Sequence, residues 1–323
     1  MTYAVGDKVA LRQVFGETLV ELGGVYPDLL VLDGDLANST LSDKFAGAYP
    51  ERFLAMGIAE QNMAGVAAGL ATLGFIPWLS TFAAFAAKRD LDQVRVVIAQ
   101  PALNVKIQGA YSGLLTGFTG KTHQSVEDIA VFRAMPNMIV LVPADATEAR
   151  LAMHAAVAYQ GPVYLRMTRD PSPVIFGPEH HFEIGKAYVV REGSDVTIVS
   201  TGVQTTRALE AVGLLAAEGV SAHLLHLPTL KPIDEEAVVE AAARTGAVVT
   251  AEDHTIIGGL GGAVAEVLGE RRPTPMRRVG IRDVFGESGP NDALLQKYGL
   301  TARHIVAAAR ALLAGRGPAG AQP

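Results

Sequence analysis

The chain has 323 residues, of which 49% are hydrophobic and 19% are charged, so it is long and apolar enough to build a substantial core. Its 27 basic and 33 acidic residues give a net charge of -6 without a basic block, which argues against nucleic acid or an anionic membrane surface as the main partner. Cysteine is absent, which excludes disulfides and thiolate chemistry, and we find neither a signal peptide nor a membrane span, so we expect a cytoplasmic protein.

In the first half of the chain, short β-branched runs alternate with longer Ala-rich helical patterns. The helix at 145–159 has Asp145 or Thr147 as a candidate N-cap. Strands are predicted at 28–35, 104–110, 138–145 and 162–168, and helices at 8–24, 57–73, 84–99, 125–133 and 145–159. Such alternation is typical of βαβ units and predicts a mostly parallel sheet.

A second series of alternating elements starts near residue 189. Strands are predicted at 195–202, 222–230, 246–254 and 276–281, and helices at 203–219, 234–244, 259–270 and 302–314. Residues 169–188 contain three prolines and two glycines, which indicates a linker. We therefore predict an α/β protein with two doubly wound domains and mostly parallel sheets, at 1–180 and 190–315, followed by a disordered tail at 316–323.

The helical stretch "LAMGIAEQNMAGVAAGLATLG" (54–74) places a carboxylate, Glu60, among apolar and small residues. A buried carboxyl with no basic residue nearby in the sequence prefers its protonated form, which donates a hydrogen bond to a ring nitrogen. The alternative is a Glu at a helix start, partly in solvent and satisfied by backbone amides. The residues alone leave both interpretations open.

Two further segments carry candidate site residues. Phe82 and Phe85 lie three apart in "STFAAFAAKRDLDQVR" (80–95), either as ordinary core or as an aromatic wall. His123 and Gln124 precede the helix predicted at 125–133, and a His at this place is either structural or functional. By contrast, Glu252, Asp253 and His254 at the end of a later strand are interpreted as structural.

Five motifs follow one another along the chain: "GDLANST" (34–40), "GIAEQNM" (57–63), "TFAAF" (81–85), Thr122-His123-Gln124 and "LRMTR" (165–169). In this order they resemble the transketolase family, and specifically its pyrimidine-binding and C-terminal domains, over residues 8–315. The resemblance implies a thiamine diphosphate-dependent enzyme that moves a two-carbon ketol unit from a ketose phosphate to an aldose acceptor.

The resemblance also implies roles for the residues of the cofactor site. Glu60 takes the place of the glutamate that hydrogen-bonds N1' of the aminopyrimidine ring and so promotes deprotonation of the thiazolium ring. Phe82 and Phe85 would form the aromatic pocket around the pyrimidine. Asp35 and Lys88 complete the expected cofactor-binding set, although the family more often has a third aromatic residue at the position of Lys88.

For the substrate, the resemblance implies a phosphate site formed by Arg12, Ser39 and Arg169, and a catalytic His123 that assists proton transfer. Two positions depart from the family pattern. Thr119 stands where transketolases usually have an aspartate, and Tyr111 stands where they have a histidine. These substrate-binding positions are therefore remodelled, which leaves the identity of the sugar open.

The family binds the diphosphate and its Mg²⁺ through a G-D-G motif followed by an Asn, on a separate N-terminal domain. This chain contains only "DGD" (33–35), so we predict no metal ligand in it. The resemblance then implies an obligate complex with an N-terminal partner subunit that carries the motif, with two copies of each subunit and contacts between the copies of this chain.

Three alternatives remain. The beta subunit of a 2-oxoacid dehydrogenase has the same two-domain layout and a catalytic Glu, and a deoxyxylulose-phosphate synthase-like half enzyme shares the T-H-Q motif. A catalytically silent scaffold subunit is the alternative outside enzymes. Retention of Glu60, His123, Arg12 and Arg169 together argues against the scaffold.

Overall fold

The computed structural model of the chain describes residues 2–315, and the predicted tail at 316–323 lies outside them. In the first half, the strands are β1 (Lys8–Val9), β2 (Leu29–Asp33), β3 (Phe53–Ala55), β4 (Ile76–Phe82), β5 (Lys106–Ala110), β6 (Ile139–Leu141), β7 (Val163–Arg166) and β8 (Ser172–Pro173). The helices of this half are α1 (Leu11–Val25), α2 (Ala37–Thr40), α3 (Asp43–Ala48), α4 (Glu60–Thr72), α5 (Ala83–Ala86), α6 (Leu91–Gln93), α7 (Asp128–Arg133) and α8 (Ala146–Ala158).

The second half contains the remaining elements. Its strands are β9 (Tyr188–Arg191), β10 (Val196–Ser200), β11 (Ala222–His226), β12 (Thr229–Lys231), β13 (Val248–Thr255) and β14 (Met276–Ile281). Its helices are α9 (Gln204–Ala216), α10 (Glu235–Thr245), α11 (Leu260–Arg271), α12 (Asn291–Lys297) and α13 (Ala302–Ala314). The predicted cap of α8 is confirmed, because the Asp145 carboxylate accepts a hydrogen bond from the Glu148 N–H.

Two larger sheets organise these elements. The first has the strand order β12-β6-β7-β5-β4-β2-β3, and every pairing in it is parallel except that of β12 with β6. The second has the order β14-β13-β10-β11-β9, with only β9 antiparallel. The prediction of two doubly wound α/β units with mostly parallel sheets is confirmed.

Strand β2 shows how the first sheet is buried on both faces. Successive side chains of a strand point to opposite faces, and all five residues of β2 are buried. Leu30 and Leu32 join the hydrophobic cluster under α4, whereas Leu29 and Val31 join the cluster under α1 and α8. The cluster under α4 continues through Leu225 and Val248 of the second sheet, so the two sheets share one apolar interior.

The largest errors of the prediction lie at 76–99. Strand β4 was not predicted, because Ser80 and Thr81 interrupt its apolar run, although both side chains are buried. The helix predicted at 84–99 is wrong, because the chain forms α5, α6 and then a π-helical stretch, Val94–Ala99. Arg89 lies between α5 and α6, outside any helix, and it donates a hydrogen bond to Glu60 at the start of α4.

Other boundaries differ by smaller amounts. Helix α4 begins at Glu60 and not at residue 57, since Gly57 has φ +71°, outside the helical region. The strand predicted at 222–230 divides into β11 and β12, and β12 adds an antiparallel edge to the first sheet.

The division into domains at 180–190 stays a prediction. Within the described residues, none of the helices combines the length and hydropathy that a membrane-spanning helix requires.

Candidate active site

Most predicted site residues lie just beyond the carboxyl ends of parallel strands of the first sheet. Phe82 ends β4, Tyr111 follows β5, and Arg169 comes three residues after β7. In sheets of this kind, ligands bind in the crevice outside the carboxyl ends of the strands. The fold therefore gathers residues that are far apart in the sequence at one edge of the sheet.

Glu60 is the first residue of α4 and is only 3% exposed. Its basic partner lies 29 residues away in the sequence: the Arg89 guanidinium donates a hydrogen bond from Nη1 to Glu60 Oε1 at 2.9 Å. Among residues 2–315, the other carboxylate oxygen has no hydrogen-bond partner. One oxygen of Glu60 is thus held by Arg89, whereas the second can form a further hydrogen bond.

Four aromatic rings pack together beside this carboxylate. Phe82 stacks on Tyr111 with ring centroids 4.2 Å apart, and Phe85 lies 5.7 Å from Phe82. The His123 ring meets the edges of Phe82 and Phe85 at 5.9 and 5.4 Å. Arg89 lies 3.8 Å above the centroid of Phe85, a cation–π contact that joins the aromatic cluster to Glu60.

The predicted phosphate residues meet around Tyr111. Arg12 Nη1 donates hydrogen bonds to the backbone oxygen of Ser39 at 3.3 Å and to the Tyr111 hydroxyl at 3.5 Å. The Arg169 guanidinium lies 5.5 Å from the Tyr111 ring centroid, and its hydrogen bond with Tyr111 raises the pKa of Arg169. Two guanidinium groups flank one tyrosine, an arrangement suited to an anion.

Tyr111 also has an unusual backbone conformation. Its φ is +57°, in the left-handed region that residues other than Gly rarely occupy. The buried side chain is held from both sides, because the ring stacks on Phe82 and the hydroxyl donates to Ser39 O at 3.4 Å. Backbone strain of this kind is common at functional sites.

Three predicted residues lie apart from these contacts. Lys88 pairs with Glu127 and is half-exposed. Asp35 is exposed, with φ +67°, in the turn after β2. Thr119 ends a 3-10 turn, Gly117–Thr119, and its hydroxyl donates to the Thr116 backbone oxygen at 2.7 Å. The roles predicted for these three residues stay predictions.

Sequence reasoning missed Asp33 and Arg89. Asp33 is buried at the end of β2, where its carboxylate accepts hydrogen bonds from Leu36 N–H at 2.7 Å and from Ser42 Oγ at 2.8 Å. Burial raises the pKa of Asp33. These bonds shape the loop that carries Ser39, and the signal for them was an acidic residue at the end of a fully buried strand.

No group of three or more His, Cys, Asp or Glu side chains that could hold a metal ion occurs within the part of the chain that the structure describes. The site on this chain is therefore one carboxylate, one aromatic cluster and one pair of arginines. Such a set can bind a flat heteroaromatic ring at one end and an anion at the other.

Two family models match the chain. The pyrimidine-binding domain of transketolase matches residues 7–173, and the C-terminal domain of transketolase matches residues 185–305. Together they span nearly all of the described chain, and each covers one of the two sheets except that β12, within the second match, joins the first sheet.

Individual relatives match over similar lengths. The 6-deoxy-6-sulfo-D-fructose transketolase subunit SqwH of Clostridium sp. (strain MSTE9) is 46% identical over 299 residues, which are 93% of each chain. A putative transketolase C-terminal section of Methanocaldococcus jannaschii is 46% identical over 298 residues, 91% of this chain and 93% of that protein. A solved structure described as a split gene transketolase, inactive beta4 tetramer, is 52% identical with a TM-score of 0.89, covering 95% of this chain and 99% of that chain.

Proposed function

Because the chain belongs to the transketolase family, we propose that it is the C-terminal subunit of a two-component transketolase that depends on thiamine diphosphate. It transfers a two-carbon ketol unit from a ketose phosphate to an aldose acceptor. The observation that carries the proposal is Glu60, buried at a helix start, next to a cluster of stacked aromatic side chains. The family matches favour this function over a 2-oxoacid dehydrogenase subunit or a deoxyxylulose-phosphate synthase-like half enzyme.

The residues present fit the aminopyrimidine end of the coenzyme. Phe82 and Phe85 belong to an aromatic cluster with Tyr111 and His123 that would line the ring site, and the carboxyl oxygen of Glu60 that has no partner in residues 2–315 is available to a ring nitrogen. When bound, thiamine diphosphate supplies the nucleophilic carbon and the electron sink for breaking the carbon–carbon bond of the ketose. Glu60 orients the ring and holds a proton at the oxygen that faces its nitrogen, and Arg89 keeps the carboxyl in place through the other oxygen.

His123 and the arginines act on the substrate. The His123 imidazole lies against Phe82 and Phe85 with Nδ1 2.8 Å from the Thr122 hydroxyl, which leaves Nε2 to exchange a proton with a substrate oxygen. Arg12 and Arg169 bind the anionic end of the sugar, with Ser39 beside them.

The anion need not be a phosphate. The relative from Clostridium is named for 6-deoxy-6-sulfo-D-fructose, a sugar that ends in a sulfonate. Sulfonate and phosphate are both tetrahedral oxyanions that guanidinium groups bind. Tyr111 and Thr119 stand where the family has a histidine and an aspartate, so the identity of the donor sugar is open. Activity measured with a panel of pentose phosphates and sulfo sugars identifies the donor.

The diphosphate and Mg²⁺ are held by an N-terminal partner subunit carrying the G-D-G…N motif. This part of the proposal is supported by the relatives described as a subunit, as a C-terminal section and as a split-gene product. The expected assembly contains two copies of each subunit, with contacts between the copies of this chain. The tetramer of beta chains described for the 52% identical structure is consistent with such self-contacts.

The test is ketol transfer by the reconstituted complex. Glu60→Gln and Glu60→Ala should lower kcat by at least about 100-fold, the range for loss of an essential proton-handling group. Glu51→Gln is the matched control, since Glu51 is 69% exposed and forms an ion pair with Arg52; it should leave kcat unchanged. A Glu60→Gln complex that keeps its activity within a few-fold would favour the scaffold alternative. Turnover of a 2-oxoacid in place of a ketose would favour the other enzymes.

A further inference from the structure

The second half of the chain forms hydrogen bonds with the loop that carries His123. We call residues 113–124 the His loop and residues 285–291 the clamp segment. The His loop follows β5 of the first sheet, and the clamp segment connects β14 of the second sheet to α12. The two segments are more than 160 residues apart in sequence, as the Gln124–Glu287 contact shows (163 residues).

Backbone groups of the two segments approach each other closely. Gly289 N–H donates to the backbone oxygen of Gly117 at 3.1 Å, and Gln124 Nε2 donates to the backbone oxygen of Glu287 at 3.1 Å. A Cβ on Gly117 would lie 2.2 Å from Gly289 O, and one on Gly286 would lie 1.9 Å from Gln124 Oε1. Close approach of the Gly289 backbone therefore requires a glycine at position 117, whereas a Cβ at position 286 would meet the end of a side chain, which can move.

Asn291, the first residue of α12, connects two parts of the candidate active site. Its Oδ1 accepts a hydrogen bond from Gly117 N–H at 2.9 Å, and its Nδ2 donates to the carboxylate of Asp170. Asp170 in turn lies 3.3 Å from the guanidinium of Arg169. One amide side chain thus ties the His loop to the strand end that carries the predicted phosphate arginine.

Further hydrogen bonds extend along the loop to the backbone of His123. Gly120 N–H donates to Gly117 O at 3.4 Å, and His123 N–H donates to Gly120 O at 3.0 Å. At the other end of the loop, the carboxylate of Asp253 accepts from Leu114 N–H at 3.1 Å. A cavity of about 280 Å³ is lined in part by Leu115, Asp170 and Asn291.

We propose that the second half of the chain positions the substrate-contacting loop of the first, and that Asn291 is the positioning residue that fixes His123 relative to Arg169. This inference rests on the proposed function for its kinetic consequence, but its structural part stands on the contacts alone. It gives the C-terminal domain a part in substrate binding in addition to packing.

The test uses three variants of the full-length chain. Asn291→Ala removes both ties, and Asn291→Asp keeps an acceptor for Gly117 N–H but brings a carboxylate against Asp170. Combining Asn291→Asp with Asp170→Asn restores a donor–acceptor pair with the roles exchanged. The matched control is Gln296→Ala, which truncates an exposed amide on the same helix.

Hydrogen exchange of the His loop is the first readout. In the full-length chain, Asn291→Ala and Asn291→Asp should speed exchange in a peptide covering 113–124 by at least 10-fold, whereas the double variant and Gln296→Ala should resemble the wild type. Loop exchange that is unchanged in Asn291→Ala would overturn the proposal, whatever the enzyme does.

Kinetics of the reconstituted complex are the second readout. Asn291→Ala should raise KM for the donor sugar about 10-fold, change kcat less, and leave the apparent affinity for thiamine diphosphate unchanged, because Glu60 lies on another element. Faster exchange with an unaltered KM would refute the positioning role. If the wild-type complex transfers no ketol group, the proposed function fails, and the exchange readout alone then decides whether the clamp exists.

Discussion

Replacing Glu148 by Gln should weaken the junction between the two halves of the chain in a pH-dependent way. Glu148 lies in α8, fully buried, with Oε2 2.8 Å from Nε2 of His226 in β11 and Oε1 3.2 Å from Nε2 of His180. Oε2 also accepts from Ala144 N–H at 2.7 Å. One carboxylate therefore joins the first sheet's helix layer to the linker and to the second sheet.

The size of the effect follows from the pKa of Glu148. Burial alone raises this pKa, but the nearby His226 and the hydrogen bonds from His180, His226 and Ala144 outweigh burial and lower it from 4.5 to about 2. A difference of this size between the folded and unfolded chains corresponds to roughly 3 kcal/mol of stability. Because the folded-state pKa is depressed, this stability is fully present above about pH 4.5 and is lost as the pH falls toward 2.

The assay is urea unfolding of the wild type and of Glu148→Gln at several pH values between 3.5 and 7. The wild type should be more stable by roughly 3 kcal/mol above pH 5, and the difference should shrink below pH 4. Glu218→Gln is the control, since Glu218 pairs with Arg310 at the surface and should show no measurable difference. A wild-type advantage that stays constant from pH 7 to pH 3.5 would refute the reasoning.

Two further predictions concern the substrate site in the reconstituted complex. Arg12→Ala or Arg169→Ala should raise KM for xylulose 5-phosphate by about 10- to 100-fold and leave KM for xylulose unchanged, since a charge-assisted hydrogen bond contributes about 1.5–3 kcal/mol; an equal effect on both sugars would contradict the anion site. Tyr111→Phe, which keeps the stacking on Phe82 but loses the hydroxyl contacts with Arg12 and Ser39, should raise KM of the preferred donor by about 2- to 10-fold. Steady-state kinetics with both sugars measures each effect, and an unaltered Tyr111→Phe enzyme would remove Tyr111 from the substrate site.

The residues that follow predicted buried strands were the ones that sequence reasoning located best. The strands at 28–35, 104–110 and 162–168 were correct within a few residues, and β2 and β7 are continuous apolar runs up to their last residue, whereas β5 also buries Lys106 and Gln108. Their carboxyl ends then bring Tyr111 and Arg169 together. Strand β4 escaped because Ser80 is polar, although inside the protein its hydroxyl donates to Gln108 Oε1 at 3.0 Å.

Contacts between residues that are far apart along the chain could not be predicted from the sequence. Arg89 lies 29 residues from Glu60 and belonged, by its local pattern, to a helix that does not form. Asn291 lies 174 residues from Gly117, at the start of a helix that was not predicted. Periodicity reports which face of an element is buried, but it does not report which partner that face meets.

A crystal structure of this chain with its N-terminal partner, thiamine diphosphate and Mg²⁺ tests the central claim most directly. We expect the Glu60 carboxyl within about 3 Å of a ring nitrogen of the aminopyrimidine, with the ring against the aromatic cluster that contains Phe82 and Phe85 and the diphosphate bound by the partner subunit. A structure in which Glu60 pairs only with Arg89 and the ring lies elsewhere, or in which one chain holds the whole coenzyme, would contradict the account.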